Sequence, residues 1–215
     1  MTDERTIADV EREYKEYLKG EDGSALAEVG RHLKEAWAIM KEDYESKGLF
    51  WTKYVREAYL PDAWKGIAKK VAIHGFGTNN CCSPNAIWVE ENFGWDMVWG
   101  FNISACRCGG RMTLEPHALN RHPDGSYVDI TADYQDETEK WFFPVENPSF
   151  GFLEYNERYE GMFVVYQPAC SCLKLKEKWD NGGKIVFGDE DEIVGWVEEM
   201  KQYPKGEIRK VLAVC

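Results

Sequence analysis

The chain has 215 residues and a formal net charge of -12 at pH 7, and 44% of its residues are hydrophobic, including 9 Trp, 11 Tyr and 10 Phe. This content excludes an intrinsically disordered chain, because the apolar residues are numerous enough to build a packed core. It also argues against extensive nucleic-acid binding, because phosphate backbones are bound by basic surfaces and this chain is acidic.

Residues 1–70 are predicted to form a helical cap or subdomain. A first amphipathic helix is predicted over 3–18, where apolar residues recur three and four positions apart, and a second begins at a Ser24 cap. A third helical region is predicted over 52–73, broken or restarted by Pro61. The apolar stripes of these helices are interpreted as core packing.

Residues 71–215 are predicted to form an α+β core that contains the strands. Stretches rich in aromatic and β-branched residues favour strands, and these are WDMVWGFNIS, RMTLEPHALNRH, SYVDITADY, GMFVVYQPA and KIVFG. A helix over DEDEIVGWVEEMKQY and a last strand over EIRKVLAVC complete the layout. The predicted fold class is α+β, in which the N-terminal helices and a helix that bears cysteines pack on an antiparallel sheet.

The chain is expected to be cytoplasmic, with reduced cysteines. Its first stretch, MTDERTIADVEREYKEYLKG, is charged throughout and has no apolar core of signal-peptide length. No apolar stretch is long enough to span a bilayer, so no membrane partner is expected. Thiols stay reduced in the cytoplasm, which makes disulfides among the seven cysteines the less favoured interpretation.

Two adjacent cysteines, Cys81 and Cys82, precede a predicted helix in the stretch NNCCSPNAIWVEENFGW. Pro84 favours the first turn of a helix, where the N–H that proline lacks has no intrahelical partner. Cys82 is therefore predicted at or just before the helix start, where backbone dipoles stabilise the reactive thiolate. The alternative interpretation is that both cysteines are small, buried core residues.

Two further segments carry groups that act with thiolates in enzymes. His117 lies in the predicted strand LEPHALN, and Asp129 lies in DGSYVDIT on the predicted partner strand. A hairpin turn centred on Asp124-Gly125 would bring the two side chains near each other. Taken singly, each residue is more often structural. Together they form the parts of a nucleophile, a general base and a residue that orients the base.

Four motifs between residues 82 and 131 resemble those of the transglutaminase-like and papain-like cysteine hydrolases, particularly small bacterial and phage members. The motifs are CSPNA at 82–86, GWDMVWGF at 94–101, EPHALN at 115–120 and DGSYVDIT at 124–131. The order Cys, His, Asp along the chain is the order found in these enzymes. The resemblance covers about a quarter of the chain.

The resemblance implies a papain/transglutaminase-like core with Cys82 as nucleophile, His117 as base and Asp129 as the residue that orients the base. Cys81 aligns with no catalytic position. The implied function is a cysteine-dependent amide hydrolase or acyltransferase, of the peptidase, isopeptidase, deamidase or transglutaminase type. Its substrate would be a protein or peptide amide, and its catalysis would require no cofactor.

Two features depart from the family pattern. Papain-like enzymes often supply an oxyanion donor from a Gln before the nucleophile, and no Gln precedes Cys82 in this chain. Asn79 or Asn80 is the candidate for that role, together with the backbone N–H of Cys82. Leu119 stands where an aromatic residue is common. An inactive relative that serves as a structural or interaction protein, for instance in a phage, is therefore an alternative function.

Two Cys-x-Cys pairs support a rival hypothesis, a zinc-braced binding module. Cys106 and Cys108 lie in ACRCGGRM, and Cys170 and Cys172 lie in ACSCLK. If the two segments adjoin, four thiolates would form a structural zinc site. The alternative is that alternate cysteines in a strand share one face and simply pack. A structural zinc is also compatible with a catalytic core.

Overall fold

The computed structural model describes residues 5–46, 53–57, 60–79, 81–105, 111–132, 137–145, 163–166 and 186–188. In chain order the described elements are α1 (Ile7–Lys19), α2 (Glu21–Ser46), β1 (Lys53–Tyr54), α3 (Asp62–Lys65), β2 (Lys69–Ile73), α4 (Cys82–Phe93), β3 (Asp96–Ala105), β4 (Arg111–Arg121), β5 (Tyr127–Asp129), β6 (Glu139–Pro144), β7 (Phe163–Tyr166) and β8 (Val186–Gly188). This combination of helices with one sheet confirms the α+β class.

Five strands of the sheet close into a small barrel. The order along the sheet is β1-β3-β6-β2-β5-β4-β7-β8, and β3 also pairs with β4, so that β3, β6, β2, β5 and β4 form a ring. β2 and β5 are parallel, as are β7 and β8. The expectation of a wholly antiparallel sheet is therefore wrong. Parallel pairing needs a long crossover connection, which α4 and the β3–β4 hairpin supply between β2 and β5.

The inside of the barrel is filled by one apolar side chain from each strand of the ring. These side chains are Val71, Val98, Leu119, Tyr127 and Phe142. The strands approach so closely that β3 needs a glycine at position 100. A Cβ atom on Gly100 would lie 1.9 Å from the backbone oxygen of Phe143 and 2.5 Å from the Phe142 ring. The barrel can close only because this residue has no side chain.

The predicted helices α1 and α2 are present, and α1 buries its apolar face on the later elements. α2 begins at Glu21, so the predicted Ser24 cap is wrong: Ser24 lies inside the helix, where its hydroxyl donates to the Glu21 backbone oxygen at 2.8 Å. Val10 and Tyr14 of α1 pack in one cluster with Val89 and Phe93 of α4 and with Ile130 after β5. Helical spacing places these α1 residues on one face, as the periodicity predicted. None of the described helices combines the length and the apolar character that crossing a lipid bilayer requires.

The predicted helical region over 52–73 is wrong apart from one turn. Among the described residues of this range, Asp62–Lys65 is the only α-helical segment, directly after Pro61, while Lys53–Tyr54 and Lys69–Ile73 are strands. β2 gains backbone hydrogen bonds from β5 on one side and β6 on the other. Such long-range pairing outweighs local helical periodicity, because strand formation depends on its neighbours more than on intrinsic preference.

The strands predicted from WDMVWGFNIS, RMTLEPHALNRH, SYVDITADY, GMFVVYQPA and KIVFG are confirmed as β3, β4, β5, β7 and β8. The predicted turn at Asp124-Gly125 is also confirmed. Gly125 has a φ of 90°, and the Ser126 N–H donates to the Asp124 carboxylate at 2.7 Å. The helix predicted over 189–203 and the strand predicted over 207–215 lie outside the described residues.

We expect Gly100→Ala to lower the free energy of unfolding by about 3 kcal/mol, because the new methyl group collides with backbone atoms that cannot move aside. Gly66→Ala is the matched control, since nothing lies within 4 Å of a Cβ atom there and the backbone is helical. It should change stability by less than about 0.5 kcal/mol. Urea unfolding followed by fluorescence measures both. Equal effects of the two changes would show that the barrel does not close at Gly100.

Candidate active site

Cys82 is the first residue of α4, and Pro84 lies in the first turn of that helix, as the sequence predicted. Cys81 precedes the helix, is 1% exposed, and accepts a backbone hydrogen bond from Asn85. Cys82 is partly exposed, and neither cysteine forms a disulfide. The structure therefore separates the adjacent cysteines into one core residue and one residue at the positive end of a helix dipole.

His117 on β4 and Asp129 on β5 are in direct contact. His117 Nε2 and Asp129 Oδ2 are 2.7 Å apart, and the two residues are 9% and 2% exposed. The second carboxylate oxygen of Asp129 accepts the Thr131 N–H at 2.9 Å. The expected proximity across the hairpin is confirmed, because β4 and β5 pair next to the tight turn.

The Cys82 thiol lies near the His117 imidazole and the Ala118 N–H, and both groups act on its pKa. The hydrogen-bond contact of its sulfur is with Ser83 Oγ at 3.9 Å. Because His117 Nε2 is held by Asp129, Nδ1 is the ring nitrogen left for the sulfur. Burial acts to raise the pKa of Cys82, but the imidazole and the Ala118 N–H outweigh it and lower that pKa. Both groups favour the thiolate over the thiol.

The charged forms of His117 and Asp129 stabilise each other. Burial and Lys140 act to lower the pKa of His117, but Asp129 and Cys82 outweigh them and raise it to about 9. Burial acts to raise the pKa of Asp129, but the positive charges of Lys140 and His117 hold it well below its ordinary value. The lowered pKa of Cys82 and the raised pKa of His117 both favour a thiolate beside an imidazolium that an ionised Asp129 holds in place.

Lys140 on β6 is a fourth charged member of this site, which the sequence reasoning missed. Its Nζ atom donates to Asp129 Oδ2, the residue is 2% exposed, and the Tyr54 ring lies 5.4 Å from Nζ. The available signal was a lysine on the same face of the strand EKWFFP as Phe142. A charged residue at an apolar position of a strand indicates a buried partner.

Asn85, the Asn of CSPNA, ties the loop before Cys82 to the strand that carries Asp129. Its Nδ2 donates to the Thr78 backbone oxygen at 2.8 Å and to Thr131 Oγ1 at 3.1 Å. Its Oδ1 accepts the Thr78 N–H at 3.2 Å and the Tyr14 hydroxyl. Because Asn85 is fully buried and bonds in several directions, it fixes the approach of the chain to the helix start.

Two side chains near the helix start retain unused hydrogen-bonding groups within the part of the chain that the structure describes. Asn79, an oxyanion candidate, has a buried Oδ1 without a partner, and Trp99 has a buried indole N–H without one. Trp99 belongs to the apolar cluster against which Cys82 packs. An oxyanion needs donors, and of these two unused groups only the indole N–H is a donor. Asn80 lies outside the described residues.

The proposed zinc ligands Cys106, Cys108, Cys170 and Cys172 all lie outside the described residues, so zinc binding there stays a hypothesis. Within the described ranges, no group of three or more His, Cys, Asp and Glu side chains is arranged to hold a metal ion.

Comparison with known proteins adds no relative. The chain matches no protein family, no curated protein and no solved structure. Function must therefore be inferred from the geometry and electrostatics of the site.

Replacing Tyr14 with Phe should lower the free energy of unfolding by about 1 to 2 kcal/mol, because it removes the hydroxyl that bonds Thr78 and Asn85 in a buried network. Tyr17→Phe is the matched control on the same helix. The Tyr17 hydroxyl makes only an exposed contact of 3.4 Å to the Asp22 backbone oxygen. Thermal unfolding of both variants tests the difference, and an equal loss would remove Tyr14 from the support of the site.

Proposed function

We propose that the protein is a cysteine-dependent amide hydrolase or acyltransferase built on a papain/transglutaminase-like core. Cys82 is the nucleophile, His117 is the general base and acid, and Asp129 orients the imidazole. One observation carries the proposal: a buried carboxylate holds an imidazole at 2.7 Å, and that imidazole lies near enough to a thiol at a helix start to lower the pKa of the thiol. Nucleophilic cysteine enzymes use these three groups in this order.

The thiolate–imidazolium pair determines the first half of the reaction. The thiolate of Cys82 attacks the amide carbonyl carbon, and the carbonyl electron pair moves to oxygen. The oxyanion then collapses, His117 donates its proton to the leaving nitrogen, and the carbon–nitrogen bond breaks. The products are a free amine, a neutral imidazole and a thioester on Cys82.

The second half releases the acyl group. His117 takes a proton from water or from an acceptor amine as that molecule attacks the thioester carbon. The carbon–sulfur bond breaks, and the thiolate–imidazolium pair forms again. Water as acceptor gives hydrolysis or deamidation, whereas an amine gives acyl transfer. Peptidase, isopeptidase, deamidase and transglutaminase activities all follow from the same intermediate, and the substrate we propose is a protein or peptide amide.

The electrostatics favour an active enzyme over an inactive relative. A degenerate site would have no reason to hold a charged imidazole beside a partly exposed thiol. Here burial opposes the ionised forms of both Cys82 and Asp129, and specific partners overcome it in each case. Buried groups whose ionised forms are stabilised by specific partners are typical of functional sites.

Cys82 should react with iodoacetamide at neutral pH faster than Cys81, because the pKa of Cys82 is lowered and Cys82 is the more exposed of the two. His117→Ala should slow alkylation of Cys82 by at least about tenfold, since a thiol pKa that rises by one unit loses that much thiolate. Asp129→Asn should have a smaller effect of the same sign. Mass spectrometry after brief labelling locates and times the modification.

The matched control for this experiment is His32→Ala on α2, because His32 is exposed and contacts only neighbouring residues of its own helix. That change should leave the labelling rate of Cys82 unaltered. Faster labelling of Cys81, together with an unchanged Cys82 rate in His117→Ala, would contradict the triad. Two packed core cysteines would then be the better account of this stretch.

The acyl intermediate provides the direct test of function. Incubation with an activated acyl ester such as p-nitrophenyl acetate should place the acyl group on Cys82, and His117→Ala should slow both its formation and its discharge. Added primary amine should speed the discharge if the enzyme is an acyltransferase, whereas water alone should discharge the group in a hydrolase. An ester that never acylates Cys82, in protein shown to be folded, would overturn the proposal.

A further inference from the structure

A single carboxylate oxygen of Asp129 contacts two positively charged side chains. Oδ2 lies 2.7 Å from His117 Nε2 and also accepts a hydrogen bond from Lys140 Nζ. The catalytic proposal uses His117 and Asp129 and gives no role to Lys140. Yet the lysine side chain is only 1% exposed. A fully buried lysine that contacts the same Asp129 oxygen as the proposed base, His117, requires a separate explanation.

Lys140 lies on the inner face of the barrel. It stands two positions before Phe142 on β6, and Phe142 belongs to the cluster that fills the barrel. By the same alternation, His117 shares the face of Leu119 on β4, and Asp129 shares the face of Tyr127 on β5. An ammonium group and a carboxylate therefore meet in an apolar interior, where each charge depends on the other for compensation.

Stability alone does not explain this lysine. Replacing a buried ion pair with apolar residues of similar volume is often neutral or stabilising. Asp129 has other partners, since it accepts hydrogen bonds from Thr131 and contacts His117. The Tyr54 ring, 5.4 Å from Lys140 Nζ, favours the charged ammonium through a cation–π contact. The site is therefore built to keep a positive charge beside Asp129.

Several other ionisable groups face the Asp129 carboxylate. From α4 comes the Cys82 thiol, and from β4 comes His117, with Glu115 on the same face two positions earlier. Beyond the end of β2, His74 donates its backbone N–H to the Asp129 backbone oxygen at 2.8 Å. Burial lowers the pKa of His74 more than Asp129 raises it, so that residue favours the neutral form. Lys140 is the ammonium group in direct contact with the carboxylate.

We propose that Lys140 is a positioning residue that weakens the electrostatic stabilisation of the protonated His117 ring by Asp129. In this way Lys140 sets the pH range in which the thiolate–imidazolium pair exists. This inference rests on the proposed function. Two positive charges on one carboxylate oxygen repel each other, so each makes the other less favourable. An imidazolium stabilised by Asp129 alone would be a poorer acid towards the leaving nitrogen. The positive charge of Lys140 makes the imidazolium more acidic.

The direction of the charge effect agrees with this role. Among the groups that act on His117, Lys140 lowers the pKa, whereas Asp129 and Cys82 raise it. Without Lys140, His117 should keep its proton to a higher pH. The ion pair would then survive further into the alkaline range, but proton donation to the leaving group would be slower.

The test is an NMR titration of the His117 ring in the full-length protein. In Lys140→Met and Lys140→Gln, the titration midpoint of His117 should move up by about one pH unit, because a neighbouring positive charge is removed. Lys140→Arg keeps the charge and should hold the midpoint within about 0.3 units of the wild-type value. The alkaline limb of the rate of Cys82 alkylation by iodoacetate should move in the same direction, because this anionic reagent needs the imidazolium charge.

Lys70→Met is the matched control. Lys70 lies on the neighbouring strand β2 and pairs with Glu139 at 2.7 Å, but it is about half exposed and does not contact Asp129. Its removal should leave the His117 midpoint unchanged. If the midpoint is also unchanged in folded Lys140→Met and Lys140→Gln, Lys140 is a structural residue and the inference is wrong, even if both variants lose thermal stability.

A measurement on the wild-type protein covers the case in which neither neutral variant folds. The NMR signal of the Lys140 side chain should shift as His117 titrates, because both side chains contact Asp129 Oδ2. A signal that does not move during the titration would overturn the inference.

Cys82→Ser separates this inference from the proposed function. It should lower the His117 midpoint, because it removes the thiolate that raises the pKa of His117. If Cys82→Ser leaves the midpoint unchanged, the thiolate–imidazolium pair is absent and the proposed function fails. If Cys82→Ser acts as expected but the neutral Lys140 variants do not, only the role of Lys140 fails.

Discussion

The rest of the site depends on one constraint, which is that the ionised carboxylate of Asp129 is buried inside a five-stranded barrel. A carboxylate loses its hydration when it is buried, so it persists only where charged partners and donors replace the water. His117 and Lys140 supply positive charge, and Thr131 supplies a backbone N–H. All three partners compensate the buried negative charge of Asp129, and this interaction holds them in place. The imidazole is thereby oriented towards the thiol.

The topology of the barrel makes this convergence possible. Parallel pairing of β2 with β5 places Asp129 beside Ile73, and β4 and β6 lie on the outer sides of this central pair. In an open sheet, Lys140 on β6 would be separated from Asp129 on β5 by the intervening strand β2. Closure of the ring instead brings β4 and β6 around one interior, where His117 and Lys140 meet the same carboxylate oxygen. Gly100 permits this closure, because a larger residue would push β3 and β6 apart.

A second network connects Cys82 to this interior. Asn85 forms hydrogen bonds with Thr78 before the helix and with Thr131 after Asp129, so the start of α4 is held in a fixed position relative to the barrel. Tyr14 extends the network to α1, and burial raises the pKa of its hydroxyl to about 12, which keeps it a neutral donor. The N-terminal helix therefore supports the geometry of Cys82 without contributing a reacting group.

Local features could be predicted from the sequence because they depend on neighbouring residues. Pro84 and the CSPNA pattern indicated the helix start at Cys82, and Asp124-Gly125 indicated the turn that brings His117 near Asp129. The helix predicted over 52–73 was wrong, because strand pairing with distant segments decides that region. Nor did periodicity indicate that Lys140 would meet the Asp129 carboxylate. The sequence by itself thus determined the local elements around Cys82, His117 and Asp129 and the order of these residues along the chain, whereas closure of the barrel decided which charges contact one buried oxygen.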